Sequence, residues 1–189
     1  LSEPYIKTYY NLENYEKGYS LYKAIEKKYF EFVEYYSNSY NKKGFKVNEN
    51  AENIFTYTER LRSLIEDQIK SEYKFNEINN SIERFIRLTT VYKDLYGSYD
   101  YYEYLTSFLQ PLYRLDKIKG RSLYLNISSQ KLERINLLKS SENNSNQNYV
   151  KSLINNEILG FKDLIDDISN YEDGNFLIEE TNKLNELVD

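Results

Sequence analysis

Apolar side chains recur every three or four positions along most of this chain, the spacing of one face of an α-helix. From Tyr22 they fall at Ile25, Tyr29, Phe32, Tyr36 and Tyr40. A second stripe runs through Ile54, Thr58, Leu61 and Ile65, and a third through Phe75, Ile78, Ile82, Phe85, Thr89, Tyr92 and Tyr96. Tyr15, Tyr19 and Tyr35 lie off the first stripe and are free to face water. A fourth helix is predicted from about Asp100 to Lys119, with Leu105, Phe108, Leu112 and Leu115 inward. Later stripes use Val150, Leu153, Phe161, Leu164 and Ile168, then Leu177, Thr181, Leu184 and Leu187.

Polar and turn-forming residues divide these stripes. Ser2-Glu3-Pro4 suits a helix start, with serine as N-cap and proline in the first turn, where its missing N–H leaves no bond unmade. NKKGFKVNENAEN (41–53) and SSENNSNQN (140–148) have no apolar period and read as polar loops. The second and third helices either run on or break between Lys74 and Ser81. Gly97 suits the end of the third. Pro111 predicts a kink or break near residue 107. After Gly120, SLYLNISSQKLERINLLKS alternates like a strand at first, then repeats like a helix at Leu132, Ile135 and Leu138. Six glycines and two prolines are too few for the turns of a β-rich fold. The expected architecture is all-α, an antiparallel helical bundle of about five to seven helices. It is expected to fill residues 1–189 as a single domain, or as two small ones, with polar loops near 41–50 and 140–148.

A mean hydropathy of -0.77 would argue for a polar chain. The 22 tyrosines remove that objection, because each buries a large apolar ring while scoring as polar. Net charge is -5, from 25 basic and 30 acidic residues whose signs are interspersed, as in EKGYSLYKAIEKK. Without a basic patch, nucleic acid is excluded as a partner and attraction to an anionic membrane surface is disfavoured. No apolar run approaches the roughly 20 residues that span a bilayer, so this domain is not expected to insert. Zero cysteines rule out a disulfide framework, a thiolate nucleophile and a zinc knuckle. Methionine is absent as well, including at position 1, so the chain is expected to begin downstream of its initiator, its targeting segment removed. A chain free of oxidisable sulfur suits a compartment outside the reducing cytoplasm.

The same absences bear on catalysis. With no histidine, the side chain that titrates near neutrality unaided is missing. The remaining nucleophiles each need an activating partner, and no G-x-S-x-G, S-x-x-K or glycine-rich phosphate loop occurs. Glu66-Asp67 and Asp166-Asp167 are adjacent in sequence, so on a helix they diverge by about 100° and fit a solvated face. YEDGNFLIEE matches an EF-hand frame with Asp173 at position five, Gly174 at six, Phe176 at eight and Glu180 at twelve. Ser169 and Tyr171 then occupy positions one and three, where calcium needs carboxylate or amide oxygens. A plain helix–turn–helix connection is expected there. No catalytic, cofactor-binding or metal-binding residue is assigned, and no cofactor.

YGSYDYYEYLTSF (96–108) supplies the candidate surface. Tyr99, Tyr101, Tyr102 and Tyr104 surround a helix start and point in several directions, so they cannot all be buried. Exposed tyrosines bind proteins or glycans at small entropy cost. The plainer alternative is that they seal the end of the bundle with their hydroxyls in water.

TYYNLENYEKGYSLYKAIEKKYFEF (8–32) resembles the YiiG-like family of bacterial lipoproteins. In that pattern a paired aromatic is followed by a polar turn, a tyrosine, an acidic or lysine-rich segment and a helix ending in an aromatic pair. Tyr9, Tyr10, Tyr15, Lys17, Leu21 and Phe32 take those places, and GRSL (120–123) resembles a later element. Tyr22 stands near where the family commonly has histidine. The resemblance implies a secreted, helical, lipid-anchored protein whose anchoring cysteine lies upstream of Leu1, and it carries over no catalytic residue. The expected function is a non-enzymatic domain of an exported surface or periplasmic protein with a binding or structural role. Two alternatives are a surface antigen that binds a host protein through the helix-four tyrosines, and a carboxylate-dependent hydrolase acting on glycans. The second needs two carboxylates converging in a cleft about 5 to 10 Å apart.

Overall fold

The protein is all-α, and no strand occurs among the described residues. The structure, a computed structural model, describes residues 3–43, 47–96, 104–141 and 147–188. They form eight α-helices and one 3-10 turn, and the chain divides into two compact units, Leu1–Tyr104 and Leu105–Asp189. The sequence left this two-unit division open beside a single bundle. The helix count runs past the expected five to seven because a turn at residues 12–14 separates a short first helix from the second.

In the first unit, α1 (Glu3–Asn11) packs on α2 (Tyr15–Lys43), which lies against α3 (Val47–Lys70) and α4 (Asn79–Tyr96). Three residues join α2 to α3, so the two run antiparallel. The predicted loop at 41–50 is correspondingly shorter: α2 continues through Lys43 and α3 is already helical at Val47. A polar stretch without apolar period does not distinguish a loop from the polar end of a helix.

Between α3 and α4 the chain breaks at residues 71–78. Glu72 and Lys74 take left-handed backbone angles, φ 56° and 49°, and a 3-10 turn follows at Phe75–Ile78. Side chains hold this unfavourable turn in place. Gln68 Nε2 donates to the Tyr73 carbonyl at 2.6 Å, and Ser71 Oγ accepts from the Tyr73 N–H at 3.3 Å.

Ile54, Thr58, Leu61 and Ile65 on α3, and Ile78, Ile82 and Phe85 on the next stripe, are buried as their spacing predicts. On α2 the prediction needs correction. Tyr22, Ile25 and Tyr29 are buried, but Phe32 is 40% exposed and Tyr36 half-exposed; Phe30, Val33 and Ser37 point inward instead. The inward line runs Tyr22, Glu26, Phe30, Val33, Ser37. An unbroken line of apolar and aromatic residues one position away hid it, because two members of the inward line, Glu26 and Ser37, are polar.

The second unit contains α5 (Leu109–Leu115), α6 (Lys117–Ser141), α7 (Gln147–Ile168) and α8 (Gly174–Val188). The break expected near residue 107 is a turn at 107–108, and it leaves Pro111 in the first turn of α5. Gly120 ends nothing. It lies inside α6, which continues as one helix through the segment whose pattern was ambiguous. The ambiguity has a cause: Leu123, Tyr124, Ile127 and Ile135 face the core while Ile118, Leu125 and Leu137 are exposed, so α6 has apolar residues on two faces. At the calcium-like frame, Asp173 Oδ1 accepts the Phe176 N–H at 3.0 Å and caps α8, while Glu180 is buried.

One plan recurs in both units: a short helix, two long ones and a closing helix. KGYSLYKAI (17–25) and KGRSLYLNI (119–127) carry Lys, Gly, Ser, Leu, Tyr and Ile at the same six places. Gly18 lies under the Tyr10 ring and Gly120 under the Tyr113 ring. A Cβ on Gly120 would stand 2.5 Å from Tyr113 Cγ and 2.8 Å from its Cα, so only glycine permits this approach of α5 to α6. Tyr22 and Tyr124, one turn further on, are both buried. Leu64-Ile65 of α3 and Leu164-Ile165 of α7 are buried alike, and each pair precedes two acidic residues.

Because each unit has its own core, residues 1–104 and 105–189 expressed separately should each be helical by circular dichroism and melt cooperatively. A fragment that stays unfolded in buffer would show that its unit depends on the rest of the chain.

Candidate functional site

Phenol rings gather where α1 meets α2 in the first unit. Tyr10 stacks on Tyr15 at 6.0 Å between centroids, and Tyr15 on Tyr73 at 5.3 Å and 17° from parallel. Tyr73 meets the edge of Tyr19 at 5.9 Å, and Tyr19 stacks on Tyr22 at 5.8 Å. Four of the five hydroxyls donate to a side-chain oxygen: Tyr10 to Gln68, Tyr19 to Glu77 at 2.8 Å, Tyr22 to Glu26 at 2.6 Å and Tyr73 to Glu16. Lys74 Nζ stands 4.7 Å from the centre of the Tyr19 ring, a cation–π distance. The bond to Glu16 pushes the Tyr73 phenol up to about 12. Burial, and then Glu77 and Glu26 respectively, raise Tyr19 and Tyr22 further. All three phenols therefore stay protonated at neutral pH.

The corresponding place in the second unit keeps the frame and changes the chemistry. Tyr113 stacks on Tyr171 at 5.2 Å and donates to Glu172 at 2.8 Å. Three residues before the glycine stands Lys117 in place of Tyr15; one residue after it stands Arg121 in place of Tyr19. Arg121 Nε donates to Glu172 Oε1 at 2.7 Å, Nη2 reaches the other oxygen, and Lys117 Nζ is 3.3 Å away. The Arg121 guanidinium holds the Glu172 carboxyl down at about 2, with help from Tyr113 and Lys117. One unit thus presents stacked phenols where the other closes an ion-pair network.

A second aromatic group follows α2 and α3. Tyr57 of α3 stacks on Phe32 at 4.8 Å and on Tyr36 at 6.0 Å, with Tyr29 beneath at 6.0 Å and Tyr35 against Tyr36 at 5.3 Å. Phe32 and Tyr35 are 40% and 65% exposed, so this cluster reaches the surface. Elsewhere, a groove of about 880 Å³ in the second unit is lined by Ile154, Ile158, Leu159, Leu187 and Val188, with Lys139 and Lys151 at its edge. Lys139 Nζ is occupied by the Leu187 carbonyl at 2.8 Å.

No family model, curated protein or solved structure matches this chain. The internal repeat is therefore its most informative comparison.

Of the tyrosines singled out from the sequence, Tyr99, Tyr101 and Tyr102 lie outside the described residues. Tyr104 is half-buried, with the Arg62 guanidinium 5.1 Å from its ring centre. Three of the four adjacent acids lie partnered: Glu66 accepts from Arg62 at 2.7 Å, Asp67 pairs with Lys7 at 3.0 Å, and Asp167 accepts from Gln110 at 2.8 Å. Burial raises Asp167 above the ordinary carboxyl value, and Asp163 and Asp166 add to the rise. Among the described residues no acidic cluster is arranged to hold a metal ion, and no helix is long and apolar enough to cross a membrane.

Sequence reasoning missed four buried carboxylates, Glu26, Glu157, Glu172 and Glu180. Each has a basic partner: Lys23 for Glu26, Lys131 and Arg134 for Glu157, Arg121 and Lys117 for Glu172, Lys183 for Glu180. A signal existed. Glu26 follows Tyr22 by one turn, and Glu157 sits between Ile154 and Phe161, so both interrupt an apolar stripe.

Proposed function

We propose that this chain is a non-enzymatic binding module of an exported, lipid-anchored bacterial protein. It holds a protein partner through the aromatic face of α2 and α3. The observation that carries this reading is the exposure of Phe32 and Tyr35 beside the Tyr57 stack. Rigid rings lose little entropy on contact, and stacking already orders these, so the face is pre-organised for binding. The sulfur-free composition and the likeness of residues 8–32 to YiiG-like lipoproteins support an extracytoplasmic setting. Glycan hydrolysis has less support: the Glu172 side chain is fully enclosed and paired, and no sugar reaches it.

The reading is tested in the native bacterium with the full-length gene product. An alkyne-tagged fatty acid should label it, and a benzophenone amino acid at position 35 should cross-link it to one discrete protein. The same probe at position 149, also exposed, should not. Absence of lipid label refutes the anchor, and equal cross-linking from both positions refutes the aromatic face.

A further inference from the structure

The chain has 22 tyrosines and no cysteine, methionine, tryptophan or histidine. Phenol is therefore its one readily oxidised side chain, and an electron removed anywhere leaves a hole that only tyrosine can hold. The α1–α2 corner gathers five such rings at spacings of 5.3 to 6.0 Å, close enough for the hole to pass between them. Oxidation of a phenol also expels its proton, and a hydrogen-bonded carboxylate is ready to receive it. Glu16 stands in that position at Tyr73 and Glu77 at Tyr19. Tyr15, between Tyr10 and Tyr73, is 38% exposed, so an oxidant in solution reaches the stack there.

We propose that Tyr15 and Tyr73 are a site of oxidative cross-linking, in which hydrogen peroxide acting through a haem peroxidase joins the two rings as dityrosine. Each phenol gives up one electron and its hydroxyl proton. The two phenoxyl radicals form a carbon–carbon bond between ring positions ortho to oxygen. The two displaced ring hydrogens return to the oxygens, which restores both phenols. One peroxide is reduced to two waters for each bond made, and the protein loses two hydrogen atoms. Two contacts join the start of α2 to the turn after α3, and of these the nearly parallel Tyr15–Tyr73 pair, 5.3 Å apart, is closer than the edge-on Tyr19–Tyr73 pair at 5.9 Å. Tyr113 and Tyr171 are as close, but Tyr113 is buried and its neighbours Lys117 and Arg121 cannot relay a hole. The bond would staple the first unit and raise its resistance to unfolding.

The test treats the intact chain with a haem peroxidase and limiting hydrogen peroxide, then maps its peptides by mass spectrometry. The expected product is blue-fluorescent monomer in which the peptides of Tyr15 and Tyr73 are linked, lighter by two hydrogens than their sum. Tyr15→Phe and Tyr73→Phe keep the ring stack and should each abolish that linked peptide. Tyr149→Phe, at an exposed position outside the stack, should leave it intact. Circular dichroism confirms folding of each variant, and the denatured chain shows the yield expected without geometry. The proposal is overturned if the native yield at Tyr15–Tyr73 does not exceed that of the denatured chain. It is equally overturned if Tyr113–Tyr171, or dimers through exposed tyrosines, are the main products.

Discussion

Glu172→Ala is expected to destabilise the second unit by about 3 kcal/mol, because it removes one partner of a buried ionic network. The Glu172 side chain is fully enclosed and accepts bonds from Tyr113 and Arg121 with Lys117 at 3.3 Å. Its loss leaves the buried Tyr113 hydroxyl without an acceptor and brings two cations together. Arg121 keeps 37% of its side chain in water and recovers part of its hydration, which places the effect at the low end of the range for such pairs. The same network makes stability depend on pH. A carboxyl held at about 2, against 4.5 in an unfolded chain, stabilises the fold in full above the unfolded value. That contribution is lost as pH falls from about 4.5 through about 2. Urea unfolding of the parent and the variant should therefore show a gap at neutral pH that narrows through this window. A gap that is unchanged at low pH would show that the carboxylate charge contributes nothing.

Tyr124→Ala is expected to destabilise the second unit by about 4 kcal/mol, the usual result of deleting a large aromatic side chain from a closed core. The ring is fully buried and meets Phe176 edge-on at 5.7 Å. Its hydroxyl donates to the buried Glu180 at 2.9 Å. Tyr124→Phe keeps the ring and removes only that donor, for about 1 to 2 kcal/mol. The difference between the variants separates packing from hydrogen bonding. Tyr22 holds the equivalent place in the first unit, with its hydroxyl on Glu26, so the same pair of substitutions there should give the same order of effects. Denaturant titration of all four variants measures it. Equal losses for Phe and Ala at either position would mean that the ring contributes little.

The repeat explains why these positions matter. The two units share the glycine that lets a short helix approach a long one, the buried tyrosine a turn later and the buried isoleucine beyond it. Around that frame the copies diverge, to stacked phenols in one and to cations around a glutamate in the other.

Helical class was legible in the sequence because burying one face of a helix imposes a period of 3.6, and that period survives in Ile54, Thr58, Leu61 and Ile65 however the rest is arranged. Pro111 announced its break for an equally local reason. Which face of α2 turns inward was not legible. The inward line includes Glu26 and Ser37, which break its apolar pattern; Glu26 is accommodated by Tyr22 and Lys23, one turn back on the same helix. The phenol corner and the Glu172 network were hidden for a different reason, since their members are 57 to 59 residues apart in pairs such as Tyr73–Glu16 and Tyr113–Glu172. Local spacing determined that the chain is helical and roughly where its helices stop. Only the tertiary structure decided which rings touch and which acids are enclosed, because burial and hydrogen bonding depend on neighbours that no local pattern contains.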